Sequence, residues 1–244
     1  MTNHVALITG GAKGIGRGIA LDLAARQWKI AFCYRTSEAE AQATARDITT
    51  RGGQAFGIRC DVSDPAAAKA LVTQVEKEWG HIDVLINGAG PYHRINLFDE
   101  TVEGWNEMFA GNLHPIFYLA QAVAPGMKTR KAGRIISFSM ANADQMEAQP
   151  DVTGHYIAKA GVLILTRTLA KLLAPYGITV NAISPGFIDS GSAPPQELAA
   201  MTKRIPAGYI GTVEDTVAAV RYLMSEEARY VNGANIQISG GWGI

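Results

Sequence analysis

The sequence has few cysteines, no excess charge of either sign and no long apolar run. Its two cysteines, Cys33 and Cys60, lie in or beside predicted strands and at no metal-ligand spacing. We therefore expect reduced core thiols, with a disulfide as the alternative, and no metal site. Lys and Arg together number 22, as do Asp and Glu. The sequence therefore has no excess of basic residues, which a nucleic-acid-binding protein would need to contact phosphates.

The apolar runs are only as long as strands, so no transmembrane helix is predicted. The first ten residues lead at once into a strand and leave no room for a signal peptide. These absences predict a soluble, cytoplasmic protein with no membrane or nucleic-acid partner. No Pro/Ser/Gly-rich linker or internal repeat divides the chain, which favours a single domain over residues 1–244.

Apolar, strand-length runs alternate with helical patterns along the whole chain. The predicted strands are Val5–Thr9, Lys29–Tyr34, Gln54–Arg59, Ile82–Ile86, Arg134–Ser139, Ile178–Ile183 and Asn235–Ile238. After the helix that follows the first strand, helices are predicted over about Glu38–Arg51, from Asp64-Pro65, in a long region to about Met127, over Gly154–Pro175 and near Val213–Met224. This alternation predicts a single-domain Rossmann-type α/β fold, a doubly wound seven-stranded parallel sheet with helices on both faces.

A glycine-rich turn follows the first predicted strand. Gly10, Gly14 and Gly16 separate Val5–Thr9 from a helical periodicity that begins at Ile15. Glycines here let an anion approach the backbone N–H groups and the positive end of the helix dipole. The pattern predicts a pyrophosphate site, and the alternative is a tight strand-to-helix turn that binds nothing.

Several further motifs follow along the chain. They are Thr9-Gly10 with Gly14 and Gly16, Asp61-Val62, Asn87-Gly88-Ala89-Gly90, Asn112, the pair Tyr156 and Lys159, and Pro185-Gly186. In order and approximate spacing they resemble the classical short-chain dehydrogenase/reductase family over essentially the whole chain. Through Ser184–Asp189 and Ile205–Gly211 the chain looks most like the 3-oxoacyl-carrier-protein reductases. The resemblance implies an NAD(P)-dependent oxidoreductase and a homotetramer, as in many relatives.

The end of the second strand indicates which dinucleotide is bound. Where NAD-preferring relatives have an acidic residue, this chain has Tyr34, followed by Arg35, Thr36 and Ser37. A guanidinium and two hydroxyls would bind a 2′-phosphate that a carboxylate would repel, and Lys13 adds a second cation. We expect NADP(H). The alternative is that both cations are ordinary solvated surface charges.

The resemblance places a larger set of residues on the cofactor. They are Gly10, Lys13, Gly14, Ile15, Gly16, Tyr34, Arg35, Thr36, Ser37, Asp61, Val62, Asn87, Gly88, Ala89, Tyr156, Lys159, Pro185, Gly186, Ile188 and Ser190. Asp61 and Val62 fall where the family holds the adenine, although Asp61 could instead cap a turn.

Tyr156 and Lys159 are the expected chemical centre, three residues apart on one face of a predicted helix. A nearby ammonium stabilises the phenolate form of a tyrosine. The resemblance assigns them to the family's Tyr-x-x-x-Lys pair, in which Tyr156 protonates the carbonyl oxygen and Lys159 also holds the nicotinamide ribose. It makes Asn112 the anchor of a relay water. Pro115 cannot donate to the Gly111 carbonyl, which could bind that water, or the proline could serve packing alone.

The family's active-site serine is hard to place in this chain. Aligning the fifth strand without gaps puts Met140 at that position, and Ser139 is one residue earlier. If the strand ends near Phe138, Ser139 can turn into the pocket, and we expect it to be the hydroxyl donor. The loop before Tyr156 is three residues longer than the commonest family spacing and offers Asn142 as an alternative.

The substrate is expected to be a small-molecule or carrier-bound carbonyl. A 3-oxoacyl thioester is the leading prediction, with another carbonyl or a pterin-like ring as the alternative. Gly88 replaces the second Asn of the family's Asn-Asn-Ala-Gly, and we assign no role to His155, which precedes Tyr156. A protein that keeps the cofactor site but has lost turnover is an alternative of a different class.

Overall fold

The computed structural model describes residues 4–191 and 195–244, so residues 1–3 and 192–194 of the predicted domain lie outside the described residues. The described strands are β1 Val5–Thr9, β2 Lys29–Tyr34, β3 Gln54–Arg59, β4 Val84–Asn87, β5 Gly133–Phe138, β6 Ile178–Pro185, β7 Ile188–Asp189, β8 Gly211–Thr212 and β9 Asn235–Ile238. Seven form one parallel sheet in the order β3-β2-β1-β4-β5-β6-β9, which confirms the predicted fold, while β7 and β8 pair separately.

Two helical layers cover the sheet. The helices are α1 Gly14–Ala25, α2 Glu38–Thr50, α3 Pro65–Trp79, α4 Val102–Asn112, α5 His114–Arg130, α6 Thr153–Leu173, α7 Pro195–Thr202 and α8 Val213–Met224, with 3₁₀ turns at Ala174–Tyr176 and Glu226–Ala228. Apolar side chains of α3, α5 and α6 pack on one face of the sheet, and those of α1, α2 and α8 on the other. Strands buried from both sides explain the continuous apolar runs of the sequence.

The strand order reverses between β1 and β4, and this reversal positions the site. The chain runs outward from β1 to β3, then returns to lay β4 on the other side of β1. Open α/β sheets form a crevice at the carboxyl ends of their strands where the order reverses. The carboxyl ends of β1 and β4 are paired at Thr9 and Asn87, and β4 pairs with β5 at Asn87 and Ser137.

Several predicted boundaries were wrong. The long helical region is two helices, because Pro115 lies in the first turn of α5, where its missing N–H is tolerated, and the chain breaks at Leu113. The fourth strand begins at Val84, and the fifth ends at Phe138, so Ser139 lies beyond it. By contrast, the predicted helix start at Asp64-Pro65 is confirmed for α3, where Asp64 is the N-cap and accepts from the Ala66 N–H, and Pro65 is the first residue of the helix.

None of the helices in residues 4–191 and 195–244 combines the length and apolar content needed to cross a bilayer. Within the same residues, no three His, Cys, Asp or Glu side chains are grouped as metal ligands would be.

Candidate active site

A cleft of about 440 Å³ opens at the carboxyl ends of β1, β2, β3 and β4. Most of the predicted cofactor residues line it: Gly10, Lys13, Ile15, Gly16, Tyr34, Arg35, Thr36, Ser37, Asp61, Val62, Gly88, Ala89 and Ser190. The other predicted cofactor residues are outside this lining: Gly14, Asn87, Tyr156, Lys159, Pro185, Gly186 and Ile188. The turns after β1, β2, β3 and β4 therefore meet in one place, as expected at the carboxyl ends of the strands of a doubly wound parallel sheet.

The glycine turn leaves the start of α1 open toward the cleft. Gly10 has a φ of +71°, and a Cβ on Gly16 would overlap the Gly10 carbonyl. Lys13 is the N-cap of α1, and its side chain makes no capping hydrogen bond to the first N–H groups of the helix. An anion can therefore take the place of a cap at this helix end.

A threonine ties the two turns at the centre of the cleft together. The Thr9 hydroxyl accepts hydrogen bonds from the backbone N–H groups of Gly88 and Ala89, both at 3.1 Å. Thr9 is buried, and a Cβ on Gly10 would come within 3.2 Å of the Ala89 backbone. The Thr9 hydroxyl thus links the turn after β1 directly to the turn after β4.

Arg35 crosses the cleft to an acidic residue that sequence reasoning missed. Its Nη2 lies 3.7 Å from Oε1 of Glu107 on α4, and His93 Nε2 lies 3.5 Å from Oε2 of the same carboxylate. The Arg35 and Glu107 side chains are 56% and 40% exposed, so this pair contributes at most about 1 kcal/mol. A doubly charged phosphate can compete for Arg35 against so weak a partner.

Asp61 caps the turn after β3. Its Oδ1 accepts from the Ser63 hydroxyl at 2.7 Å and the Ser63 N–H at 3.0 Å. The hydroxyl contact is the main reason why the pKa of Asp61 is lowered, with a further contribution from Arg35. The turn-capping alternative is therefore what this side chain does here, while the residue also lines the cleft.

The two cysteines are free thiols that border the same cleft. Burial raises the pKa of Cys33 to about 12 and also raises that of the half-buried Cys60. Both thiols are therefore protonated at neutral pH.

The spacing of Tyr156 and Lys159 corrects their assignment to the family motif. Only Ile157 and Ala158 separate them, one residue fewer than Tyr-x-x-x-Lys requires. One residue turns a helix by about 100°. The position four residues before Lys159 on α6 is therefore held by His155, and Tyr156 projects in a different direction from the one the motif implies.

The Tyr156 hydroxyl is held by the loop between β5 and α6. It donates to the Asn142 carbonyl at 2.7 Å and accepts from the Glu147 N–H at 3.1 Å. The side chain is buried, and Asn142 and Met146 have positive φ angles of 61° and 58°. Asn142, the alternative polar group of the sequence analysis, thus contacts Tyr156 through its backbone.

Lys159 points its ammonium group at the end of β5. Nζ donates to the Phe138 carbonyl at 2.8 Å, and burial lowers the pKa of Lys159 from 10.5 to about 8. Ser139 is beside it, but its hydroxyl donates to the Lys159 backbone carbonyl at 2.8 Å. The strand ends at Phe138, as a role for Ser139 requires, yet this hydroxyl bonds to the backbone of α6.

Met140 is partly buried in an apolar cluster with Ala143, Leu163 and Ala182. The residue at the gap-free serine position thus contributes packing, and its thioether cannot donate a hydrogen bond.

Asn112 ends α4 and braces the turn after β4. Its Nδ2 donates to the carbonyls of Pro91 and Met108, both at 3.0 Å. Gly111 and Pro91 both line the cleft. Asn87 donates from Nδ2 to the Ser137 hydroxyl at 3.1 Å and so links β4 to β5. The expected relay water at Gly111 stays a prediction.

Pro91, Glu107, Glu147 and His155 are among the residues in or near this site that had no sequence-based assignment. The position of Pro91 in the turn that follows β4 was a usable signal. Glu107 and Glu147 had none, because an acid on a helix or in a loop is usually solvated.

Comparisons of sequence place the chain among known enzymes. A family model described as Enoyl-(Acyl carrier protein) reductase matches residues 10–243. The 3-oxoacyl-[acyl-carrier-protein] reductase FabG of Staphylococcus aureus is 35% identical over 239 residues, covering 97% of this chain and 96% of the relative. FabG of Escherichia coli is 34% identical over 245 residues, with coverage of 97% and 96%.

Solved structures agree. A blue fluorescent protein from a metagenomic library, in complex with NADPH, shares 31% identity with a TM-score of 0.91, covering 99% of this chain and 98% of that one. A Burkholderia cenocepacia short chain dehydrogenase in complex with NADP shares 31% sequence identity with this chain. Its TM-score is 0.91, and the match covers 98% of both chains. The chain therefore belongs to the short-chain dehydrogenase/reductase family of oxidoreductases.

Proposed function

We propose that this protein reduces a carbonyl group to a hydroxyl with NADPH, and that a 3-oxoacyl thioester is its substrate. The observation that carries the proposal is the cleft at the β1/β4 reversal, which is lined by the start of α1 and by Lys13 and Arg35. Tyr34, at the end of β2, also lines it, and no acid takes that position. Relatives named 3-oxoacyl-[acyl-carrier-protein] reductase match almost the full chain and support the substrate class.

The cofactor is NADP(H), and the residues of the cleft fit it. The N–H groups at the start of α1 would hold the pyrophosphate, where Gly16 leaves no room for a Cβ. Arg35, Thr36 and Ser37, with Lys13, would hold the 2′-phosphate. When bound, the nicotinamide supplies the hydride.

Tyr156 is the proposed proton donor. Its phenolic proton is engaged with the Asn142 carbonyl, so the substrate carbonyl must replace Asn142 as the acceptor. Lys159 is three residues further along α6, and its ammonium would have to leave the Phe138 carbonyl to stabilise the phenolate left after transfer. To reach the ribose as well, Lys159 would exchange its bond to Phe138.

Ser139 and Asn112 complete the proposed set. Ser139 would orient the carbonyl after releasing the Lys159 backbone, and Asn112 would keep the Pro91 turn in place beside a relay water. A hydrogen-bond donor that acts on a developing oxyanion raises kcat by about 10²–10³-fold.

A panel of carbonyls tests the proposal. Purified protein is given NADPH or NADH with 3-oxoacyl thioesters, short ketones and a dihydropterin, and cofactor absorbance is followed. We expect oxidation of NADPH, fastest with a 3-oxoacyl thioester, and little with NADH. Faster turnover of the pterin or of a simple ketone would replace the substrate class, and equal use of NADH would contradict the assigned 2′-phosphate site.

The loop contacts also favour a second candidate, a protein that binds NADPH without turnover. Both the occupied Tyr156 hydroxyl and the short interval to Lys159 are departures that a non-catalytic relative would tolerate. Tight NADPH binding in calorimetry, with no oxidation by any carbonyl of the panel, would favour this candidate.

We also propose a homotetramer. Large apolar side chains are exposed on neighbouring helices, namely Val102 on α4, Phe117 on α5, and Ile164 and Leu172 on α6. Apolar surface of this kind is typical of interfaces. Sedimentation equilibrium would give four times the chain mass, and a monomer would contradict the proposal.

A further inference from the structure

Glu107 presents a carboxylate on the wall of the cofactor cleft, from the middle of α4. Its two carboxylate oxygens have different partners. Oε1 lies 3.7 Å from Arg35 Nη2, in the turn after β2, and Oε2 lies 3.5 Å from His93 Nε2, in the segment after β4. The carboxylate is therefore oriented by contacts on two sides, and one of these contacts is to a cation that lines the same cleft.

The charges in the cleft balance, although the proposed ligand is an anion. Among the described residues that line it, the charged ones are two cations, Lys13 and Arg35, and two carboxylates, Asp61 and Glu107. Asp61 caps the turn after β3 by accepting hydrogen bonds from Ser63. Glu107 instead contacts the guanidinium that we assign to the 2′-phosphate. Its charge therefore acts on the recognition of that group.

The contact between Arg35 and Glu107 is weak enough to be replaced. At 3.7 Å the two atoms are too far apart for a hydrogen bond, and the Arg35 side chain is 56% exposed, so solvent screens the attraction. A phosphate makes short, charge-assisted bonds to a guanidinium and can displace the carboxylate. Binding of the 2′-phosphate then loses the attraction between Arg35 and Glu107. NADH has a hydroxyl in place of that phosphate, so it does not compete for Arg35.

We propose that Glu107 is a specificity-determining residue of the cofactor site, a carboxylate that competes with the 2′-phosphate for Arg35 and thereby lowers the preference for NADPH over NADH. This inference rests on the proposed function, which assigns Arg35 to the 2′-phosphate. It adds that a residue on α4, across the cleft from the phosphate-binding turn, limits the affinity for NADPH.

A charge-removing substitution tests the competition. Glu107→Gln removes the carboxylate charge and nearly keeps the size of the side chain. Glu103→Gln is the matched control, because it makes the same change at an exposed position one turn earlier on α4, outside the cleft lining. Arg35→Ala and Arg35→Ala/Glu107→Gln complete a double-mutant cycle. Calorimetry at low ionic strength gives Kd for NADPH and for NADH, and thermal unfolding confirms that each variant is folded.

We expect Glu107→Gln to tighten NADPH binding about three- to fivefold, the effect of one exposed ion pair, and to change Kd for NADH less than about twofold. Arg35→Ala should weaken NADPH binding about tenfold. In that background, Glu107→Gln should change Kd for NADPH less than about twofold, because the group for which the carboxylate competes is absent. High salt should reduce the gain in Glu107→Gln, since it screens exposed charges. Glu103→Gln should match the wild type.

An unchanged Kd for NADPH in Glu107→Gln would overturn the inference. So would an equal gain for NADPH and NADH, which would place the effect on the part that the two cofactors share, or the same gain with and without Arg35. If Arg35→Ala leaves Kd for NADPH unchanged, the proposed 2′-phosphate site fails, and the inference fails with it. A loss in Arg35→Ala without a gain in Glu107→Gln rejects the inference alone. These binding measurements need no turnover, so they decide the role of Glu107 even if no carbonyl is reduced.

Discussion

Burying the ammonium of Lys159 should cost the protein stability at neutral pH. The group lies beneath the end of β5 with one hydrogen bond to the Phe138 carbonyl, and burial lowers its pKa from 10.5 to about 8. At 1.36 kcal/mol per pH unit, that difference corresponds to about 3 kcal/mol of unfolding free energy. A catalytic lysine would thus be kept at the expense of stability.

The direction in which stability changes with pH follows from the number of protons that the folded and unfolded states bind. Between about pH 8 and 10.5 the unfolded chain keeps the Lys159 proton while the folded protein has lost it, so stability rises with pH in that window. Below pH 8 both states are protonated, and the full cost is present. The thiol of Cys33 acts in the opposite direction above about pH 9, because its folded pKa is raised to about 12.

Lys159→Met isolates the effect, since every other group titrates alike in both proteins. The variant loses the bond to Phe138, worth about 1.5–3 kcal/mol, so the two proteins should differ little in stability at pH 7. Urea unfolding at one protein concentration, repeated from pH 7 to 10.5, should show the wild type gaining about 3 kcal/mol on Lys159→Met. A difference that stays constant over this range would refute the reasoning.

Three further predictions follow from the cleft. Removing both cations in Lys13→Ala/Arg35→Ala should weaken NADPH binding about tenfold or more and leave NADH nearly unchanged, as measured by calorimetry, and a parallel loss for both cofactors would contradict the 2′-phosphate site. Ser139→Ala should lower kcat about 10²–10³-fold in steady-state assays if its hydroxyl orients the carbonyl, whereas unchanged turnover would leave it bonded to α6 only. Cys33 should resist a thiol reagent at pH 8 in the folded protein, and rapid labelling of Cys33 would show that its burial is wrong. NADPH should slow the reaction of the same reagent with Cys60, because Cys60 borders the cleft.

The fold could be predicted from the sequence because buried parallel strands leave a strong signal. Continuous apolar runs locate the central strands, and shorter apolar patterns locate the edge strands β3 and β9. The predicted ends of all seven strands are within two residues of the observed ones. The helix break at Leu113 was harder, because the apolar periodicity continues across it. Only the missing N–H of Pro115 indicates that a new helix begins there.

That the predicted cofactor residues would line one cleft could also be read from the sequence, since most of them come at or just after strand ends. Parallel strands bring such residues together at one edge of the sheet, regardless of the conformation of the connecting loops. Tyr34, Asp61 and Ala89 accordingly line one cleft.

The catalytic half depended on details that periodicity does not contain. Ser139 comes one residue after β5, where the path of the chain is set by the hydrogen bond from its N–H to the Ile183 carbonyl. The contacts of Tyr156 come from a loop with two left-handed residues, a conformation that no local pattern predicts at Asn142 or Met146.

The direct measurement of the central claim is NADPH oxidation by wild-type protein and Tyr156→Phe with the same 3-oxoacyl thioester. Removing only the hydroxyl should lower kcat by about 10²–10⁴-fold while Kd for NADPH, measured in parallel, changes less than about twofold. A Tyr156→Phe variant that retains most of the wild-type turnover would contradict the assignment of this phenol as the proton donor.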